Sequence, residues 1–343
     1  RPMTRLLKLT ACVFLCFFAA TARANTDVVV FLNGDRLTGE LKSLDRGLLR
    51  FKTDATNTIR IEWDKVAYVS SNQNVQVETE EGLRFLGSLS WPSHSGDIVV
   101  DTISGAFELD ATRVVKLTPI KETVTGRFDG QLALGYNFTK ASKVKQFNIG
   151  LDLEYRTELR IFGLDFDAVT SDTGDTEASQ RNNLNFTYRR LRADRWVNTG
   201  LFRLTRNDEL GLDMRTSIGG GLGRIMTQSN SSALLLEGGL TLNRENNAGG
   251  IEGENTWELY SSVAWDWWRY DLPELDLSAD WQLFPSLSES GRLRSEFDIT
   301  FRWEFIDDFF WSLSYYNSYD SKPRDETASK TDYGVNTSVA WDF

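Results

Sequence analysis

Carboxylates are the residues of this chain best placed by number and spacing to do chemistry. Asp152 and Glu154 stand two apart, and Asp165 and Asp167 repeat that spacing. Two carboxylates in one cleft can divide the acid and base roles of a hydrolysis. The run SDTGDTE at 171–177 is acidic enough to hold Ca²⁺ weakly, but it lacks the ligand spacing of an EF-hand loop and reads as a solvated loop. His94, in PSHSG, is the only histidine and reads as a polar loop residue. Cys12 and Cys16 are the only thiols. There is no HExxH, no glycine-rich phosphate loop and no cysteine cluster. Neutral-pH acid–base work most readily uses histidine, and residues 124–343 contain neither histidine nor cysteine. We therefore assign no catalytic, cofactor-binding or metal residue, expect no cofactor, and do not expect an enzyme.

What positions those acids is a two-residue period. In FNIGLDLEYRTEL, Phe147, Ile149, Leu151, Leu153 and Tyr155 share a face, with Asn148, Asp152, Glu154 and Arg156 between them. FGLDFDAV, WELYSSVAWDW, ELDLSADWQLF and RLRSEFDITFRW follow the same rule, which is the period of a strand. Twelve such segments fill the second half: 125–138, 146–158, 160–170, 181–192, 196–206, 213–226, 232–243, 255–268, 274–284, 292–304, 309–320 and 331–343. The acids belong to the polar face of every strand, so a hydrogen-bonded lining explains them better than a catalytic pair does.

The chain starts differently. Arg1, Arg5 and Lys8 precede an uncharged run from Leu9 to Ala22, and Ala22-Arg23-Ala24 follows as a small-x-small site. Residues 1–24 read as a secretory signal peptide, too short to span a bilayer. Its loss removes four basic residues (Arg1, Arg5, Lys8, Arg23) and takes the net charge from -11 to -15. It also removes both cysteines, so the exported chain has no disulfide. An acidic chain is a poor nucleic-acid binder, and none is expected as a partner.

Residues 25–118 contain a repeat. NGDRLTGEL (33–41), GLLRFKT (47–53) and TIRIEWDKVAYV (58–69) align with EGLRFLGSL (81–89), GDIVVDT (96–102) and AFELDATRVVKL (106–117), mostly at an offset of 48 residues. Two small curled β units, packed together or paired in tandem, are expected. The module reads as a structural plug or periplasmic foot, or as a contact for peptidoglycan or another periplasmic partner. Residues 119–123 are its linker to the strands of 124–343.

Alternation alone also suits a soluble sheet. A signal peptide, twelve successive amphipathic strands and 11 Trp, 10 Tyr and 21 Phe together suit a transmembrane barrel, apolar outside and polar inside. The expected fold is all-β: a 12-stranded antiparallel transmembrane barrel preceded by the small tandem-repeat domain. Outer-membrane lipid and lipopolysaccharide are its expected surroundings. The ending TDYGVNTSVAWDF, with Tyr333, Val335, Val339, Trp341 and Phe343 on one period, resembles the terminal signature strand of outer-membrane proteins, which engages the barrel-assembly machinery. Its partner at closure is expected to be the first strand, near 125–138. Whether the lumen forms a narrow channel for ions or small solutes, or the barrel is a non-conducting envelope-stress scaffold whose module contacts a partner or the cell wall, stays open.

Three stretches carry a more specific resemblance: GLDMRTSIGGGLG (211–223), WQLFPSLSESGRLRSEFDITF (281–301) and the terminal strand after ASKTDYG. They resemble the DUF481 family, described as salt-induced outer-membrane proteins of Gram-negative bacteria. NGDRLTGEL resembles the tandem β unit that precedes the barrel in some members. The resemblance implies a fold and a place, and no substrate.

Overall fold

The computed structural model describes residues 27–341 apart from 93–95, 122–123, 125–126, 140–143, 173–178, 208–211, 248–254, 272, 307–308 and 324–329. The signal peptide, His94, most of SDTGDTE, and Phe343 lie outside the described residues. The described chain is all strand and turn, in two sheets.

The first sheet has nine strands: β1 (Asp27–Phe31), β2 (Arg36–Asp45), β3 (Leu48–Thr53), β4 (Asn57–Glu62), β5 (Val66–Thr79), β6 (Arg84–Ser90), β7 (Asp97–Thr102), β8 (Gly105–Asp110) and β9 (Val114–Pro119). The repeat is visible as β2–β3–β4, a single 3-10 turn at 63–65, then β5, against β6–β7–β8, a 3-10 turn at 111–113, then β9. β5 is shared. Its first part closes the first unit beside β1. Its last part pairs with β6 and β9 and opens the second. The two equivalent turns meet, Trp63 Nε1 donating to the Ala111 carbonyl at 2.7 Å. One apolar core serves both units, with Leu41, Leu49, Phe51, Val75, Ile98 and Leu117 fully enclosed. Neither unit has enough apolar surface to fold around by itself.

The second sheet has twelve antiparallel strands in sequence order: β10 (Phe128–Thr139), β11 (Val144–Arg156), β12 (Arg160–Asp172), β13 (Ser179–Leu191), β14 (Trp196–Asn207), β15 (Leu212–Gln228), β16 (Ser232–Asn247), β17 (Asn255–Arg269), β18 (Glu274–Pro285), β19 (Leu293–Ile306), β20 (Phe309–Asp320) and β21 (Thr331–Trp341). Consecutive pairing follows from the short connections, and the register keeps apolar residues on one face all round. Leu151 faces Phe166 and Leu132, Phe202 faces Phe186 and Ile218, and Trp281 faces Phe297 and Val263. That face is the outer one: Leu134, Ile218, Leu240, Val263 and Val335 are all exposed. Polar residues take the inner face, where Thr241, Asn243, Thr256 and Glu258 are buried.

One expectation is not met. Among the described residues β21 pairs with β20 alone and β10 with β11 alone, so no ladder joins the terminal strand to the first. Both strands keep the alternation that closure needs. An unpaired backbone row is costly in hydrocarbon and cheap in water, and it is the lipid that forces a sheet shut.

The connections differ by side. Five are only two to four residues long (157–159, 192–195, 229–231, 270–273 and 307–308), and all join the strands at one end. The other six, at the opposite end, run from four residues to ten. The tryptophans are unevenly spread too. Trp257, Trp265, Trp267, Trp281, Trp303, Trp311 and Trp341 stand on the outer face of β17–β21, and Trp196 alone on that of β10–β15.

Candidate functional site

The inner face of the twelve-stranded sheet and its two mouths hold the polar side chains most constrained by structure. At the long-loop end, β15–β20 bring an arginine–carboxylate network into the lumen. Strand period places Arg215, Asn243, Glu245, Glu258 and Arg294 inward, and register sets them side by side. Arg294 grips Glu258 with two bonds, Nη2 to Oε2 at 2.6 Å and Nε to Oε1 at 3.1 Å. Asn243 Nδ2 donates to the same carboxylate at 2.8 Å. The Phe284 ring lies 4.8 Å beneath the Arg294 guanidinium. Arg215 Nε donates to Glu245 at 2.9 Å.

Arg292, in the 286–292 connection, extends the network. Its side chain is 1 % exposed, with Asp320 at 2.7 Å and Glu289 at 2.9 Å. Burial pulls the Arg292 guanidinium down, but Asp320, Glu245 and Glu289 outweigh it and hold it above its ordinary value. A charge out of water needs such partners, since an unpaired one costs several kcal/mol. Below the network the inner wall narrows around Tyr260. Its side chain lies on Gly221 and Gly239, where an added Cβ would stand 2.3 Å from the Tyr260 hydroxyl and 2.5 Å from a ring carbon.

At the short-turn end the small module covers the mouth. Arg46, in its β2–β3 turn, enters the lumen with Nη2 2.7 Å from Asp276, Nη1 3.5 Å from Asp266, and its guanidinium 4.7 Å from the Trp268 ring centre. Beside it, Gly47 has φ +69°, and a Cβ there would lie 2.6 Å from the Asn230 carbonyl, so only glycine lets the turn approach. Burial pushes the nearby Tyr270 hydroxyl up to about 12.

Contacts to the other short turns follow. Gln76 Nε2 donates to the Glu158 carbonyl at 2.7 Å. Arg84 donates to the Arg192 carbonyl at 2.9 Å, and Arg195 donates to that of Glu80. Asn230 Nδ2 donates to the Thr112 and Val114 carbonyls at 3.2 and 3.1 Å. Lys65 lies 3.5 Å from Asp271. Among the described residues, the short connections 157–159, 192–195, 229–231 and 270–273 are thus all bound to the module. Glu62, Asp64 and Asp271 come close enough to hold a cation, and Lys65 already supplies the positive charge there.

The acids singled out in the sequence fall elsewhere. Asp152 and Asp165 face each other across β11 and β12, and Asp167 stands opposite Gly150. They are inner-face residues of the less filled half, away from the buried network. Glu258, Arg294, Arg292 and Arg46 escape sequence reading, because single charges on alternating strands all look alike before register is known. Arg292 carries the one legible signal, as a basic residue next to a strand-opening Leu293-Arg294.

A family model described as "Protein of unknown function, DUF481" matches residues 132–343. No curated protein matches the chain. One solved structure, described as "Bacterial polysaccharide outer membrane secretin", is similar at 9 % identity and a TM-score of 0.34, over 79 % of this chain and 97 % of that one.

Proposed function

The chain belongs to the DUF481 family, and we propose that it is an outer-membrane β-barrel forming a narrow channel for ions or small solutes, held shut at its periplasmic mouth by its own N-terminal module. The observation that carries the reading is the docking of that module on those four short connections, with Arg46 inserted between Asp266 and Asp276. Short turns on the module's side and longer connections opposite match the periplasmic and external ends of such barrels. The module's place before the first strand agrees with that orientation. An acidic lining of Asp152, Asp165, Asp280 and Asp298 favours cations. The lipid, lipopolysaccharide and assembly-machinery partners expected from the sequence belong to the same proposal.

A second reading, the non-conducting scaffold, is favoured by the Arg294–Glu258 network that fills the other mouth. Planar-bilayer conductance separates the two. The full chain is expected to be silent, and the triple variant Arg46→Gln, Gln76→Ala, Asn230→Ala to show discrete steps. Silence from both supports the scaffold. Steps of equal size and frequency from both refute the capping role.

A further inference from the structure

The chain is acidic, yet its short-turn rim carries an unbalanced patch of arginines on one side. Arg160, Arg190 and Arg224 all stand on the outer face at the short-turn ends of β12, β13 and β15. All three are exposed, and no carboxylate pairs with them among the described residues. Register sets Arg160 beside Arg190, while Arg224 lies opposite Trp196 with its guanidinium 5.5 Å from that ring centre.

Just below this row, where the module meets the turns, are two recesses. The larger, about 440 Å³, is lined by Arg84, Arg190 and Arg192 together with Leu83, Leu159 and Leu191. The smaller, about 370 Å³, adds Arg195, Arg224 and Met226. Glu81 and Asp194 also line them, and Glu81 is already bound to Arg113. The arginines therefore outnumber the free carboxylates. The backbone holds several in place: Arg195 donates to the Met226 carbonyl at 2.9 Å, and Arg84 spans the Arg192 carbonyl and Glu78. Leu83 and Leu159 are exposed at 57 % and 48 %, which is unfavourable in water.

We infer that this rim binds an anionic phospholipid of the inner leaflet, its phosphodiester held by Arg190 and Arg224 and its acyl chains lying on the outer face of β12–β15. The inference rests on the membrane-barrel reading above. Three features select this occupant. Guanidinium groups match a phosphate oxygen pair. Leucines beside the arginines suit the glycerol and the first methylenes. The row lies at the height where the apolar face ends. On β17–β21 the same height is held by Trp265, Trp303 and Trp311, which anchor to the interface without charge.

The test uses the full chain in bilayers of phosphatidylcholine doped with spin-labelled lipid. Motionally restricted phosphatidylglycerol should exceed restricted phosphatidylcholine. The triple variant Arg160→Gln, Arg190→Gln, Arg224→Gln should abolish most of that preference, because it removes all three basic groups of the row. Arg269→Gln, an exposed arginine on the aromatic side, should leave it unchanged. A triple variant with undiminished preference overturns the site. Full displacement by inorganic phosphate also overturns it, in favour of a free-anion site. The membrane reading is scored separately, by heat-modifiable migration and incorporation into the bilayer. Incorporation without lipid preference sinks the headgroup site alone, and failure to incorporate sinks the barrel reading itself.

Discussion

Phe51 and Glu258 are both enclosed by protein, at 0 % and 1 % exposure, and both sit on strands that alternate polar and apolar residues. In the small module the apolar face turns inward, to a core of Leu41, Phe51, Val75 and Leu117. In the twelve-stranded sheet that face turns outward, and the inside is Glu258, Arg294, Asn243 and Thr241. One chain thus holds the same pattern in both senses. Alternation specifies a two-faced sheet and leaves open which face is solvated. What decides is the surroundings: water suits the module's arrangement, and the lipid surround proposed above suits the other.

The comparison is tested hardest by removing one enclosed side chain from each region. Phe51→Ala should destabilise the module by about 3–5 kcal/mol through lost burial and a cavity. Glu258→Ala should cost the barrel about 3–5 kcal/mol for the opposite reason, a buried guanidinium left without its partner. Melting of refolded protein, followed by heat-modifiable migration for the barrel and by limited proteolysis within residues 27–119 for the module, reads both. Replacing both partners, Glu258→Leu with Arg294→Met, should recover most of the second loss and none of the first.

The outer face gives the next effect. Leu240→Arg, near the middle of β16, should cost about 2–4 kcal/mol in a bilayer, as expected for a basic residue at the midplane. Were that face in water, a change at an exposed position would stay within about 0.5 kcal/mol. The cost should therefore appear in phospholipid vesicles if β16 crosses the membrane.

A cysteine at Asn336, scanned against single cysteines at Gln131, Ala133 and Gly135, addresses the seam. At least one pair should cross-link in the membrane, because β10 and β21 must join where no water pairs their edges. Absence of any cross-link, with the barrel inserted, would mean that the edges meet something other than each other.

The smallest effect is electrostatic. Burial raises the Glu40 carboxyl, but hydrogen bonds from Lys42 and Lys121, at 2.8 and 2.9 Å, outweigh it and hold the group below its ordinary value. A carboxyl lowered by folding stabilises the module above its unfolded value and loses that contribution as pH falls through the lower, folded one. Glu40→Gln should slightly lower the module's melting temperature at neutral pH and flatten the acid limb of its stability curve, the difference from the unmodified chain vanishing at low pH.

Much of this architecture was legible beforehand, because it follows from short-range patterns. All twelve segments appear as strands, their ends moved by a few residues: 255–268 becomes Asn255–Arg269, and 309–320 is unchanged. The 48-residue offset survives as the Trp63–Ala111 contact. What could not be read depends on distant residues meeting. Arg46 and Asn230 look like ordinary turn residues until the module is laid on the turns. Arg292 and Asp320 pair across 28 positions, and nothing local announces that pairing. The fourteen-residue β5 was hidden too, because a repeat suggests two separate units and not a strand owned by both.

That shared strand limits how the module can change over time. Tandem repeats that merely stack can gain or lose a copy, since each brings its own edges. Here, excising 48 residues would cut β5 in half. It would also part Trp63 from its acceptor at Ala111 and strip the covering from Leu49 and Phe51. A third copy would have to split β9 from its pairing with β5. The duplication is therefore locked at two: with the copies fused through one backbone, the arithmetic of adding or deleting units is closed to this domain.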